Sequence, residues 1–156
     1  MRSRQFQLVT EWHFIAPLER VWDQLLDVET WPQWWPSVSQ VETLRLGDCD
    51  GIGAVRRLTW TTALPYRLII EMESSRIEPM SVIEGQARGE LEGIGRWTLH
   101  HDGKGTHVRY DWQVDVTKPW MRLLAPLLRP LFAWNHRAVM AQGEAGLQSR
   151  ISQLPE

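Results

Sequence analysis

The sequence predicts an α+β domain in which a curved antiparallel sheet wraps a long C-terminal helix, with two short helices after the first strand. Three observations carry this reading. Seven segments alternate apolar and polar residues with period two, the mark of a half-buried strand. Short turn-forming stretches join the last six of them, which implies an antiparallel meander. The residues after Lys118 then carry apolar side chains at helical spacing.

Phe6, Leu8, Thr10, Trp12 and Phe14 share one parity and Gln7, Glu11 and His13 the other, so Phe6–Ala16 reads as a strand that Pro17 ends. Leu18–Val28 places Leu18, Val21, Trp22, Leu25 and Leu26 at helical spacing. Thr30-Trp31-Pro32 reads as an N-cap followed by a first-turn proline, and Pro36 keeps that second helix short. Strands are expected over Val38–Leu46, Ala54–Ala63, Tyr66–Ile77, Met80–Arg88, Leu91–His101 and His107–Thr117, and Asp102-Gly103-Lys104-Gly105 is the clearest hairpin turn. In the last strand Val108, Tyr110, Trp112, Val114 and Val116 line one face. Lys118–Leu154 is helical in character. About 36 residues in one straight helix would reach roughly 54 Å. That exceeds the roughly 40 Å expected across a domain of this size. Pro126 and Pro130 each remove a backbone donor and crowd the preceding turn. The expectation is therefore a short helix near Pro119–Leu128 and a long one from about Leu131 to Ser152. The long helix has the stripe Phe132, His136, Met140, Gly143, Leu147 and Ile151, with Arg137, Glu144 and Gln148 off it.

At 156 residues the chain is long enough for one well-buried core, and 1–156 is read as a single domain. Seventeen basic and nineteen acidic residues give a net charge of −2, which offers no general attraction for nucleic-acid phosphate. The single cysteine, Cys49, rules out an internal disulfide and fits a reducing compartment. Arg2 and Arg4 are followed by no apolar run, so no signal peptide is expected, and no stretch has the length of a membrane span. The expected location is the cytoplasm. Ten tryptophans against three Phe and two Tyr must line either the core or a cavity.

The segments Val21-Trp22-Asp23-Gln24-Leu25-Leu26-Asp27 and Trp31-Pro32-Gln33-Trp34-Trp35-Pro36-Ser37-Val38 carry a family likeness. So do Leu127-Leu128-Arg129-Pro130-Leu131-Phe132 and Trp134-Asn135-His136. With the element order, the chain resembles the polyketide cyclase/dehydrase and lipid-transport family of the START-like (Bet v 1-like, SRPBCC) superfamily. The resemblance implies a helix-grip fold, a seven-stranded antiparallel sheet curled around the C-terminal helix with a cavity between them. It leaves the substrate open, because this superfamily holds carriers, cyclases and dehydratases.

Strand parity turns Trp60, Trp97, Tyr110 and Trp112 toward the long helix, and the helix stripe turns His136 back toward them, with Asn135 beside it. A buried polar group needs a partner. His136 is therefore either satisfied by Tyr110 or a backbone carbonyl, or anchors a ligand carbonyl or hydroxyl, or serves as a general acid or base. Gly143 and Gly146 lie three residues apart in a helix interior, where glycine costs about 1 kcal/mol. Something bulky approaches there, a ligand or a tryptophan from the sheet. The candidate ligand-binding set is Trp60, Trp97, Tyr110, Trp112, Asn135, His136 and Gly143, with no catalytic residue assigned. His100 and His101 face opposite sides of one strand and His107 begins the next; a His101–His107 pair across the hairpin is conceivable, but a surface role fits better. No metal-ligand spacing is present, the glycine pairs Gly51/Gly53 and Gly93/Gly95 precede strands and not helices, and no cofactor is called for. Trp120, Met121, Leu123, Leu124, Leu127, Leu128, Leu131 and Phe132 form an apolar patch. It either packs over the cavity mouth or acts as a lid or a transient contact with a membrane surface. Three functions follow in order: binding or transport of a hydrophobic small molecule (lipid, polyketide-like or other aromatic), a cyclase or dehydratase, and a protein–protein module. The sequence leans away from an enzyme, because the inward set is poor in acid and base groups, and it leaves the oligomeric state open.

Overall fold

The computed structural model describes residues 6–65 and 67–155. The chain runs β1 (Phe6–Phe14), α1 (Leu18–Leu26), a 3₁₀ helix (Val28–Gln33), β2 (Val38–Arg45), β3 (Val55–Thr61), β4 (Arg67–Glu78), β5 (Val82–Gly89), β6 (Leu91–His101), β7 (Thr106–Val116) and α2 (Pro119–Gln153). Among the described residues the strands make one antiparallel sheet in the order β1-β7-β6-β5-β4-β3-β2. Tyr66, expected to open β4, lies outside the described residues.

The period-two pattern explains the register. Trp97 stands opposite Tyr110, Thr10 opposite Tyr110, Leu8 opposite Trp112, Trp60 opposite Leu68 and Leu58 opposite Ile70. A slip of one residue would turn each of these apolar rows to water. Only β1 leaves chain order. It pairs with β7, and α1 with the 3₁₀ helix carries the chain from that edge to β2 at the other. The outer edge of β1 is covered by helix side chains, since the His13 and Ile15 N–H groups donate to Glu144 Oε2 at 3.0 Å and Gln148 Oε1 at 3.2 Å. This satisfies donors that would otherwise invite another strand.

Two expectations are corrected. The C-terminal helix is continuous from Pro119 to Gln153, through Pro126 and Pro130, not two helices. Both prolines lie on the solvent side, where carbonyls one turn back can tilt toward water, so the helix forgoes two hydrogen bonds without breaking. Its length, roughly 52 Å, is tolerated because the outer face of its first half does not pack on the domain. Thr30 does not cap a helix. It sits inside the 3₁₀ helix, and its hydroxyl donates to the Asp27 carbonyl at 2.8 Å. Among the described residues no helix is long and apolar enough to cross a membrane.

Candidate ligand-binding cavity

The space between sheet and helix divides into a filled half and a hollow half. Under α1 and the 3₁₀ helix, tryptophans fill it. Trp35 is the hub, with Trp34 stacked on it at 5.4 Å, Trp60 edge-on at 5.1 Å and Trp12 at 5.5 Å between ring centroids. Trp97 lies 5.0 Å from Trp12 and 4.1 Å from Tyr110, at the boundary with the hollow half. The indole N–H of Trp35 donates to the Val139 carbonyl of α2 at 2.9 Å, which pins the cluster to the helix.

The hollow half is a cavity of about 210 Å³ between the concave face of the sheet and α2. The sheet supplies Phe6, Trp60, Ile70, Trp97, Tyr110 and Trp112, and α2 supplies Phe132, Asn135, His136 and Met140. Gly95 makes room for this wall. It stands opposite Trp112, and a Cβ there would fall 3.1 Å from the Trp112 ring and collide with the Tyr110 hydroxyl. The missing side chain thus lets both aromatics lie over β6. Tyr110 and Trp112 stack with centroids 5.9 Å apart.

His136 is the polar group on the helix side. Its Nε2 lies 3.5 Å from the Thr10 hydroxyl, at the limit of hydrogen bonding, and its ring stacks over Tyr110 at 6.5 Å. Burial, reinforced by the neighbouring Arg137 charge, pushes its pKa down to about 4. At neutral pH it is therefore an uncharged imidazole with one donor and one acceptor. Burial pushes the Tyr110 phenol well above its ordinary range, so it keeps its proton. Thr62, Asn135 and Val139 line both this cavity and a second hollow beside Ser37 and Gln142, so the two meet at these residues.

A second polar end, at Arg56, is absent from the sequence-based candidate set. Arg56 lines the cavity near the 3₁₀ helix; its Nε donates to Glu29 Oε1 at 2.8 Å, and Thr43 donates to the same oxygen at 2.9 Å. Burial alone would lift the Glu29 pKa, but the hydrogen bonds from Arg56, its own backbone and Thr43 outweigh it and hold the carboxyl below its usual range. The signal that could have found Arg56 is parity, since it precedes Leu58 and Trp60 at the same period-two positions.

Of the seven candidate residues, Trp60, Trp97, Tyr110, Trp112, Asn135 and His136 come together on this wall. Gly143 is a correction. It is buried against tryptophans and not on the cavity wall: a Cβ there would lie 2.6 Å from Trp35 Cε2 and 2.9 Å from Trp12 Cζ2. Gly146 likewise lets the backbone of Trp34 approach the helix. The His101–His107 pair does not form. His107 stands opposite His100 with centroids 4.8 Å apart, and His101 Nδ1 accepts from the Gly103 N–H at 3.1 Å.

The sequence profile described as polyketide cyclase/dehydrase and lipid transport matches residues 5–147. The chain belongs to this family. Solved structures share its architecture. The protein TTHA0849 from Thermus thermophilus is 22% identical with a TM-score of 0.70, over 93% of this chain and 99% of that one. The Zhui aromatase/cyclase from Streptomyces sp. R1128 is 15% identical with a TM-score of 0.73, over 95% and 94%. A START superfamily protein from Mycobacterium smegmatis is 18% identical with a TM-score of 0.71, over 96% and 99%. At these identities the likeness concerns the fold. No curated protein sequence matches the chain.

Proposed function

We propose that this member of the polyketide cyclase/dehydrase and lipid transport family binds a hydrophobic small molecule, lipid-like or aromatic, in the cavity between the sheet and α2. The observation that carries the reading is the wall itself: mostly apolar and aromatic, with the uncharged His136 imidazole and Asn135 on the helix side and, among the polar groups of the sheet side, Arg56 with the carboxylates of Glu73 and Glu84. Such a wall rewards shape, at roughly 25 cal/mol for each Å² of apolar surface taken from water. One hydrogen bond to His136 adds about 1 kcal/mol and chooses which end enters first. The volume, about 210 Å³, exceeds the roughly 150 Å³ that accommodates a benzene and falls short of drug-sized pockets, so a small ring system or a short acyl chain fits best. The exposed, unpaired Cys49 fits a reducing compartment, and the cytoplasm is the location we propose.

The test is a titration with two fluorescent probes, the neutral N-phenyl-1-naphthylamine and the sulfonated 1-anilinonaphthalene-8-sulfonate. Trp112→Ala should weaken both. Arg56→Met should weaken the sulfonated probe alone, because only it offers an anion to the guanidinium. Failure of the wild type to bind either probe would sink the reading.

One observation favours a second reading, a cyclase or dehydratase. Tyr110 and His136, both titratable, converge in the cavity. A neutral imidazole can accept a proton and a phenol can donate a hydrogen bond to the oxygen that gains charge. Turnover of a poly-β-keto thioester, lost in both Tyr110→Phe and His136→Gln with folding retained, would establish this reading over simple binding.

A further inference from the structure

The outward face of α2 shows far more apolar surface than a single soluble domain normally leaves bare. Trp120 is 54% exposed, Leu123 81%, Leu127 78% and Trp134 50%, with Leu124 and Leu131 beside them. At 3.6 residues per turn these six fall within an arc of about 100° centred near Leu127. The buried Met121 and Ala125 lie on the opposite side of the same turns, with the cavity-lining Phe132. Judged from their exposed fractions, the six leave about 700 Å² of apolar surface, above the 300–600 Å² of the largest patch on a typical monomer.

The spacing of this face is symmetric. Trp120, Leu123, Leu127, Leu131 and Trp134 follow one another at intervals of three, four, four and three residues, the same read in either direction. This spacing suits a two-fold axis through an antiparallel helix pair centred on Leu127, which sets residue 127+n of one copy against residue 127−n of the other, so that apolar residues meet apolar residues. Trp120 then meets Trp134 of the second copy, Leu123 meets Leu131, and Leu127 meets itself on the axis. The pair would bury at most about 1,400 Å² in total, within the 1,200–2,000 Å² of stable interfaces. No charge opposes it, since the chain from Val116 to Gly143 carries no Asp or Glu and its Arg122 and Arg129 project well away from the stripe. A helix lying on a lipid surface would instead flank its apolar face with basic residues; here Arg137 alone does so.

We propose that two copies of this chain associate through the outer face of α2 as an antiparallel, two-fold symmetric dimer centred on Leu127. The inference stands whether or not the cavity takes a ligand. Sedimentation equilibrium at micromolar concentration should give a dimer for the wild type. It should give a monomer with unchanged far-ultraviolet circular dichroism for Leu127→Glu, which sets two carboxylates on the axis. Oxidative cross-linking in a Cys49→Ser background fixes the register. Leu127→Cys should form a disulfide dimer, and so should Leu123→Cys combined with Leu131→Cys. Leu123→Cys alone should not, because the two copies of that position are about 12 Å apart along the helix, beyond the roughly 7 Å a disulfide spans between Cα atoms. A monomeric wild type, a dimer that survives Leu127→Glu, or cross-linking of Leu123→Cys alone overturns the proposal. So does a monomer that co-sediments with phosphatidylglycerol vesicles and loses that binding in Leu127→Glu, which would assign the face to lipid.

Discussion

Replacing Gly143 by alanine puts a number on how tightly the tryptophan cluster seats against α2. The added Cβ would fall 2.6 Å from Trp35 Cε2, 2.8 Å from Trp35 Cζ2 and 2.9 Å from Trp12 Cζ2. Carbon atoms prefer about 3.5–4.0 Å, so the indole of Trp35 must retreat by roughly 1 Å. It has nowhere to go. Its side chain is 1% exposed, its N–H is held by the Val139 carbonyl at 2.9 Å, and Trp12, Trp31, Trp34, Trp60 and Trp97 surround it at centroid distances of 5.1 to 6.3 Å. Alanine gains about 1 kcal/mol of helix propensity. Overpacking costs about 1–3 kcal/mol, and a stretched indole hydrogen bond adds up to about 1 kcal/mol. The net expectation is a loss centred near about 1.5 kcal/mol and reaching about 3 kcal/mol, which at a urea slope near 2 kcal/mol/M lowers the unfolding midpoint by up to roughly 1.5 M. Gly146→Ala should lose more, since its Cβ meets the carbonyl oxygen of Trp34 and the obstacle is backbone. Probe affinity should change as well, because Trp35, the ring that the new methyl displaces, lines the cavity although Gly143 does not. A Gly143→Ala protein as stable as wild type, or more so, would mean that propensity wins and the indoles are loosely packed.

The His136 pKa predicts how stability follows pH. Its folded value, about 4, lies below the ordinary value of 6.5, so between these limits the unfolded chain holds a proton that the folded one does not. Stability from this group is therefore complete above about pH 6.5 and is lost as pH falls toward 4, by up to about 3 kcal/mol; His136→Gln should flatten that limb of a pH series of urea melts. Pro130→Ala should raise the thermal midpoint, by restoring the missing N–H to a helix that already runs through this position. If the midpoint falls instead, the proline ring itself contributes to stability at this position.

The strand framework was legible because a one-sided sheet writes its register into sequence parity. The expected β6 span, Leu91–His101, matches the observed one, and the inward row of β7 needs no revision. Local rules failed where tertiary contacts outrank them. Prolines read as helix breaks, yet Pro126 and Pro130 sit on the water side of a helix fastened by Met121, Ala125 and Val139 on the other. The glycines of α2 announced a close approach, but whether an indole or a ligand fills the gap depends on Trp35, brought in from the segment that follows the 3₁₀ helix. Arg56 went unread because a charge near a strand end looks solvent-facing, while here the Glu29 carboxylate turns inward-facing parity into a paired, half-buried group.

Closing the sheet with its first strand against its last has a consequence for how the protein is made. Every other pairing joins neighbours in sequence and can zip as the chain emerges. Phe6, however, waits for Val114 and Trp12 waits for Val108. At synthesis rates of about 5–20 residues per second, the roughly 100 intervening residues take roughly 5–20 s to appear. Through that interval the nascent chain trails an apolar segment with no partner, and β7, once made, has one unpaired edge. The step that ends this exposure closes a long loop, which places it late and slow in folding. Vulnerability to aggregation should therefore concentrate in translation, before the two ends of the sheet have met.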